Sequence, residues 1–362
     1  MGIRLGSVDA PRYNAPRPTG SFDLNAWLLQ LDPGVTARLR AGTYETDKTV
    51  VIPGGRHLVG QAPGVTAAST IRQATGSSIQ GAILTTEAWQ ANAATSGVPT
   101  YIGHLRIDGN RHLCPASTAS GILLMNYWST VEHCFVTRAP EDGITFRDTN
   151  RAGSVISNSA SENRVQFSKV HDVGRDAYFF QCQNNESNQD GYAIHNLGSD
   201  CRDFMRFERI SGWHVERNHG YTIRRHGIVG QNAFASTVAF NEIEGYGTEN
   251  LPGVFYGGIS LTQLNGRSSH VVNNFVGQTE PAGTATFQAL VCTAGVGQTT
   301  ARLTCIGNEL VGAGTPRGRG LVAQVQAGGL LALNEGLNQI SNMGTPTFFG
   351  VGVSLTGVIR TA

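Results

Sequence analysis

A short phrase of alternating apolar residues returns along this chain at intervals near 33 residues, and that recurrence limits the fold more than any other feature. TVEHCFV starts at Thr130, RVQFSKV at Arg164, FMRFERI at Phe204, TVAFNEI at Thr237 and HVVNNFV at His270. Looser copies follow as LTCIGNELV from Leu303 and LLALNEGL from Leu330. The corresponding positions hold Cys134, Ser168, Glu208, Asn241, Asn274, Asn308 and Asn334, with successive gaps of 34, 40, 33, 33, 34 and 26 residues. Each phrase alternates with period two, the signature of a strand. A second phrase follows at a nearly fixed lag: DGITF at Asp142, DAYFF at Asp176, HGYTI at His219 and GGISL at Gly257.

Helical repeats of similar length need amphipathic runs of period 3.6, and none occurs after residue 31. Leucine-rich repeats need an LxxLxL phrase, which does not recur. Short strands joined by glycine turns therefore predict a solenoid of β-coils. Asn241, Asn274, Asn308 and Asn334 are expected to stack at one bend, where their amides bond along the coil axis or serve left-handed turn geometry.

Composition excludes several classes. With 27 Lys+Arg against 26 Asp+Glu and 40% hydrophobic residues, the chain is neither a disordered tail nor a strongly basic nucleic-acid binder. No apolar run is long enough for a membrane span, so no membrane partner is expected. The 46 glycines follow no G-X-Y period, which excludes collagen. Only Lys48 and Lys169 are lysines, so arginine carries nearly all positive charge. The six cysteines (Cys114, Cys134, Cys182, Cys201, Cys292, Cys305) show no CxxC and no zinc spacing, and read as small buried hydrophobes. No metal or other cofactor is implied. The first twenty residues lack the apolar stretch of a signal peptide. The expected location is cytoplasmic, or extracellular or virion-associated if a leader has been removed or the origin is a phage.

The entry segment resembles the right-handed parallel β-helix proteins of the pectate-lyase type. FDLNAWLLQL from Phe22 is similar to the helix that caps the first coil. VTARLRAGTYETDKTVVIPGGRHLVGQ, from Val35 to Gln61, resembles the opening coils, with AGTY, IPGG and LVGQ in the usual order. LRIDGNR from Leu105 and STVEHCFVTRAPEDGITF from Ser129 are similarly typical. The resemblance implies an all-β fold: an N-terminal arm over 1–20, one β-helix domain over 21–355 with an inserted loop at 181–203, and a tail over 356–362. The superfamily holds lyases, hydrolases, epimerases, fructan-processing enzymes and phage tailspikes, so the fold alone assigns no activity.

Charge concentrates the search. Residues 101–250 hold 31 of the Asp, Glu, Lys and Arg residues and 251–362 only 8, while eight of ten histidines lie between His104 and His226. Asp142 and Asp176 share a place in consecutive repeats, with His219 expected in the next. Stacked about 4.8 Å apart, two carboxylates resist joint ionisation, so one pKa rises, as a glycosidase acid requires. The same aspartates also suit a turn-capping role. In the expected excursion, Asp190 precedes Gly191 and His195 follows as a possible partner. Downstream, Trp213, His214, Glu216, Arg224 and Arg225 fall within WHVERNHGYTIRRHG; arginine suits an acidic sugar, and Trp213 or Tyr192 can stack on a pyranose. An arginine network bridging coils explains the same residues. The motif sets of polygalacturonases, alginate epimerases and calcium-dependent pectate lyases are absent.

The expectation is a carbohydrate-active enzyme cleaving or rearranging glycosidic bonds: a glycoside hydrolase, transglycosidase or polysaccharide lyase. Asp142, Asp176, Asp190, Glu216 and His219 are the catalytic candidates; His195, Trp213, His214, Arg224, Arg225 and Tyr192 are the substrate-binding ones. The alternative is a tailspike-type glycan-binding protein with weak or no catalysis. The charge-poor C-terminal coils, and the superfamily resemblance, point to a side-by-side homotrimer.

Overall fold

The computed structural model describes residues 12–16, 22–61, 68–183, 188–263, 267–279 and 285–356. Most of the expected N-terminal arm and the C-terminal tail lie outside the described residues. All paired strands run parallel to their partners, because each coil advances by one strand spacing and sets like positions side by side. Three faces result. One middle coil shows the pattern: Arg164–Gln166 on the first face, Lys169–His171 on the second and Tyr178–Gln181 on the third. The long strand Glu309–Val325 runs through both the second and third faces, pairing with Phe275–Gly277 and Thr286–Ala294. This is the parallel β-helix expected from the repeat.

Period-two alternation fills the interior. Val131, Val165, Ala193, Val215, Val238 and Val271 form one inward column on the first face, each at most 2% exposed. On the third face Phe146, Phe180 and Phe207 stack with ring centroids 5.9 and 4.7 Å apart. Burying each such side chain contributes roughly 1.5–3 kcal/mol. Where Phe204 turns inward, its ring lies against the adjacent Gly198 and Gly220; a Cβ on either would approach it to 2.5 or 2.4 Å.

The N-terminal end of the core is closed by the helix Leu24–Leu29, which buries Leu24 and Leu28. Asp23 caps it, accepting from the amides of Asn25 and Ala26 at 3.0 and 3.1 Å. Asn25 then ties the cap to the first coil through Thr49 and Val51. No helix among the described residues is long and apolar enough to cross a membrane.

The asparagine ladder runs through Asn196, Asn218, Asn241, Asn274, Asn308 and Asn338. Each Oδ1 after the first accepts the backbone N–H and one Nδ2–H of the preceding rung at 2.9–3.0 Å. The second amide proton goes to a backbone carbonyl, as from Asn241 to Val215 at 2.8 Å. Ser168 and Cys134 continue the column below Asn196. The left-handed residue at this bend is the one before the asparagine: His195, Arg217, Phe240, Asn273 and Leu337 all have φ between 54° and 57°. Asn334 is not a rung. It sits within the strand Leu331–Gly336, and the bend comes four residues later.

Rung spacing corrects the expected coil lengths. From Ser168 the chain reaches Asn196 in 28 residues, Asn218 in a further 22 and Asn241 in 23. Residues 181–203 are accordingly not a protruding loop. They include the strands Tyr192–Ile194 and Leu197–Cys201, hydrogen-bonded into the first and second faces. FMRFERI lies on the third face, pairing with Tyr178–Gln181, so Glu208 points outward and takes no part in the ladder.

Candidate active site

At the corner leading into the third face, a carboxylate closes each of three successive coils. The Asp176 amide donates to Asp142 Oδ1 at 3.1 Å, the Asp203 amide to Asp176 Oδ1 at 3.3 Å, and the His226 amide to Asp203 Oδ1 at 3.0 Å. His226 Nδ1 then accepts from the Gly257 amide at 2.9 Å. The equivalence of Asp142 and Asp176 holds, but the next members are Asp203 and His226, which begin DFMRF and HGIVG. His219 lies elsewhere.

One oxygen of each aspartate is thus committed to a turn, the structural role the sequence allowed. The remaining charge is handled by arginine. Arg202 grips Asp176 with Nε and Nη2 at 3.0 and 2.8 Å, and reaches Asp203 at 3.8 Å. Arg206 approaches Asp203 at 3.6 Å, and Arg175 approaches Asp142 at 3.7 Å. The three aspartates are at most 1% exposed. Burial, then the charges of Asp203 and Asp142, push the Asp176 carboxyl up to about 7, the Arg202 clamp offsetting only part of this. Burial raises Asp142 as well. A proton is therefore held among the stacked carboxylates near neutral pH. Burial lowers the His226 imidazole.

Beyond the corner, the third face presents Arg147, Gln181, Glu208 and Gln231 in register across four coils. Glu208 accepts from Arg206 at 2.6 and 2.8 Å and from Gln181 at 3.2 Å. A groove of about 430 Å³ opens here, lined by Gln181, Cys182, Gln183, Glu208, Arg209, Gln231 and Asn232. Near Asp142, the buried Thr145 Oγ1, Arg147 Nε and Arg175 Nε have no hydrogen-bond partner. A second apolar cluster, with Trp89, Leu123, Met125 and Ile156, covers the neighbouring part of this face and forms its wall.

The other candidates are divided among different faces. Tyr192, His214 and Glu216 lie outward on the first face; Tyr192 and His214 stack at 5.3 Å, and His214 Nδ1 lies 3.1 Å from Glu216. Asp190 precedes that face at the opposite edge from His195, and burial followed by Glu162 raises its carboxyl. His195 belongs to an exterior stack at the ladder bend, with His104, His133 and Phe167 at centroid spacings of 4.9, 5.2 and 5.0 Å. His219 is on the second face, 3.2 Å from Glu244. Among the described residues, His219, Glu242 and Glu244 are the set whose donor atoms, all within 4.8 Å of one another, can hold a metal ion.

Three substrate-binding expectations change. Trp213 is fully buried, packed on Phe180 at 4.4 Å with its indole N–H donated to Asn188, so it cannot stack on a sugar. Arg224 donates to the carbonyls of Val173 and Gly174, bracing a coil two turns away. Arg225 pairs with Glu249 at 2.8 Å.

No protein-family model matches this chain, and none of the curated proteins matches it in sequence. Solved structures do resemble it. The A-module of mannuronan C-5 epimerase AlgE6 from Azotobacter vinelandii aligns with a TM-score of 0.59 at 15% identity over 90% of both chains. A variant of the DFA-IIIase of Arthrobacter chlorophenolicus A6, in complex with DFA-III, aligns with a TM-score of 0.54 at 13% identity over 91% of this chain and 84% of that one. The catalytic domain of a GH87 alpha-1,3-glucanase variant, in complex with tetrasaccharides, gives a TM-score of 0.51 at 10% identity over 98% and 70%. The fold is the parallel β-helix. At these identities the likeness carries the fold and no residue roles.

Proposed function

We propose that this protein is a carbohydrate-active enzyme that cleaves or rearranges glycosidic bonds in a polysaccharide or oligosaccharide. The observation that carries the reading is the column Asp142–Asp176–Asp203, three buried carboxylates in consecutive coils beside a polar groove. A column that holds a proton near neutral pH supplies a general acid, and its ionised neighbour a base or nucleophile. Arg202 and Arg206 approach from the solvent side, so a substrate oxygen reaches Asp176 by taking over a guanidinium N–H. Arg147, Gln181, Glu208 and Gln231 are placed to bind sugar hydroxyls along the groove. The named activities of the similar structures, an epimerase, a DFA-IIIase and an alpha-1,3-glucanase, support a carbohydrate substrate.

Within this reading a side-by-side homotrimer is the expected assembly. It is supported by the large apolar side chains exposed in the C-terminal coils, including Leu330, Leu337, Phe348 and Val351.

The test is a panel of neutral glucans, fructans and polyuronates, followed by reducing-end release and by the ultraviolet absorbance of an unsaturated product. Release by the wild type and its loss in Asp176→Asn supports the reading. Product formed equally by both removes the column from the chemistry, and no product from any glycan overturns the reading.

A further inference from the structure

We propose that Cys292 and Cys305 are a disulfide site, joining the third and first faces of one coil through the core. Their Sγ atoms lie 3.1 Å apart, closer than two unbonded sulfurs pack without a hydrogen bond, and about 1 Å beyond a disulfide bond. Both residues are fully buried. Cys292 is in the strand Thr286–Ala294 and Cys305 in Ala301–Ile306, so both faces hold the sulfurs in place from either side of a short turn. The flanking coils pack Leu261 and Ala323 beside Cys292, and Val271 beside Cys305.

The timing of the reaction follows from the same geometry. The hydrogen bond to Cys292, together with burial, holds the Cys305 thiol far above its ordinary range, so the folded protein offers no thiolate. Oxidation therefore belongs to folding, before this coil is covered. One thiolate attacks a small disulfide such as oxidised glutathione, releasing one thiol and forming a mixed disulfide. The second thiolate displaces the other glutathione. Two protein thiols are oxidised, and one external disulfide is reduced to two thiols. Once formed, the bond is shielded from reductants by the core around it.

The experiment refolds the full chain with oxidised glutathione or with a reductant, alkylates free thiols in denaturant, and maps peptides without reduction. The expected result after oxidising refolding is four alkylated cysteines, a mass lower by two hydrogens before alkylation, and one linked peptide pair containing Cys292 and Cys305. The oxidised form is expected to melt a few degrees higher than the reduced one, and Cys305→Ala to abolish that difference. Six alkylated cysteines, or a bridge between any other pair, overturns the proposal, and this reading needs no variant to fold.

Discussion

Asp176 donates its backbone amide to Asp142 Oδ1 at 3.1 Å while its own Oδ1 receives the amide of Asp203. The same side chain is thus a turn cap, an ion-pair partner and the proton-holding member of the column. Replacing it tests all three roles separately. Asp176→Asn keeps an oxygen for the Asp203 amide but cannot exchange a proton, and is expected to lower turnover at least ~100-fold. Asp176→Ala also leaves Arg202 facing an empty site, and is expected to cost about 3–5 kcal/mol of stability. Rates on an active glycan and urea midpoints for both variants provide the check. Equal turnover in wild type and Asn variant would confine Asp176 to the cap.

The raised carboxyl also dictates a pH dependence. Because the folded state holds this proton up to about 7, against an ordinary 3.8, it binds more protons than the unfolded chain between those values. Stability contributed by Asp176 is therefore lost as pH rises through that window, by roughly 4 kcal/mol at full ionisation. Asp108 and Asp172, where Arg138 and Arg111 outweigh burial and keep the carboxyls low, act in the opposite direction only below about pH 4. Urea titrations from pH 4.5 to about 7.5 should show a falling midpoint that flattens in Asp176→Asn. A wild-type midpoint that rises across this range would contradict the assignment.

Asn241 tests the ladder. Its side chain accepts two hydrogen bonds from Asn218 and donates to Val215 and Asn274, all out of contact with water. Asn241→Ala leaves those groups unpaired and is expected to destabilise the protein by about 3–5 kcal/mol. Asn241→Asp, which accepts but cannot donate, should also destabilise. Urea midpoints within experimental error of wild type for both would show that the ladder carries no stability.

Assembly is read from mass. A side-by-side trimer predicts about three times the 38.5 kDa chain mass by light scattering at micromolar concentration. A mass equal to that of one chain would refute it, leaving the apolar side chains of the C-terminal coils simply exposed.

The β-helix was legible because strand alternation survives every change of coil length. The faces were harder to assign, since alternation marks a strand without saying which face holds it. FMRFERI was matched to first-face phrases, and that concealed two short coils inside one 40-residue interval. The misplacement shifted everything after Asp176. DFMRF and HGIVG, the true successors of DGITF and DAYFF, went unread, and with them Asp203 and His226. Asn218 was passed over as a fragment of a catalytic motif, although its position before His219 repeats Asn241 before Glu242. Trp213 looked available because its neighbours in sequence are charged. Its side chain instead points at Phe180 and Phe207, a contact that only the correct coil register reveals.

The unequal rung intervals, from 22 residues at Asn196–Asn218 to 34 at Asn274–Asn308, have a consequence for how such a chain can change. Axial pitch is set by backbone hydrogen bonding between neighbouring coils, whereas contour length is set at the corners. Additions between the third and first faces lengthen a rim without disturbing any rung. A single residue added between Asn218 and Glu242 would instead throw Asn241 out of phase with both neighbours. The molecule therefore separates a rigid metric, read along the axis, from corners where new recognition surfaces can be grafted.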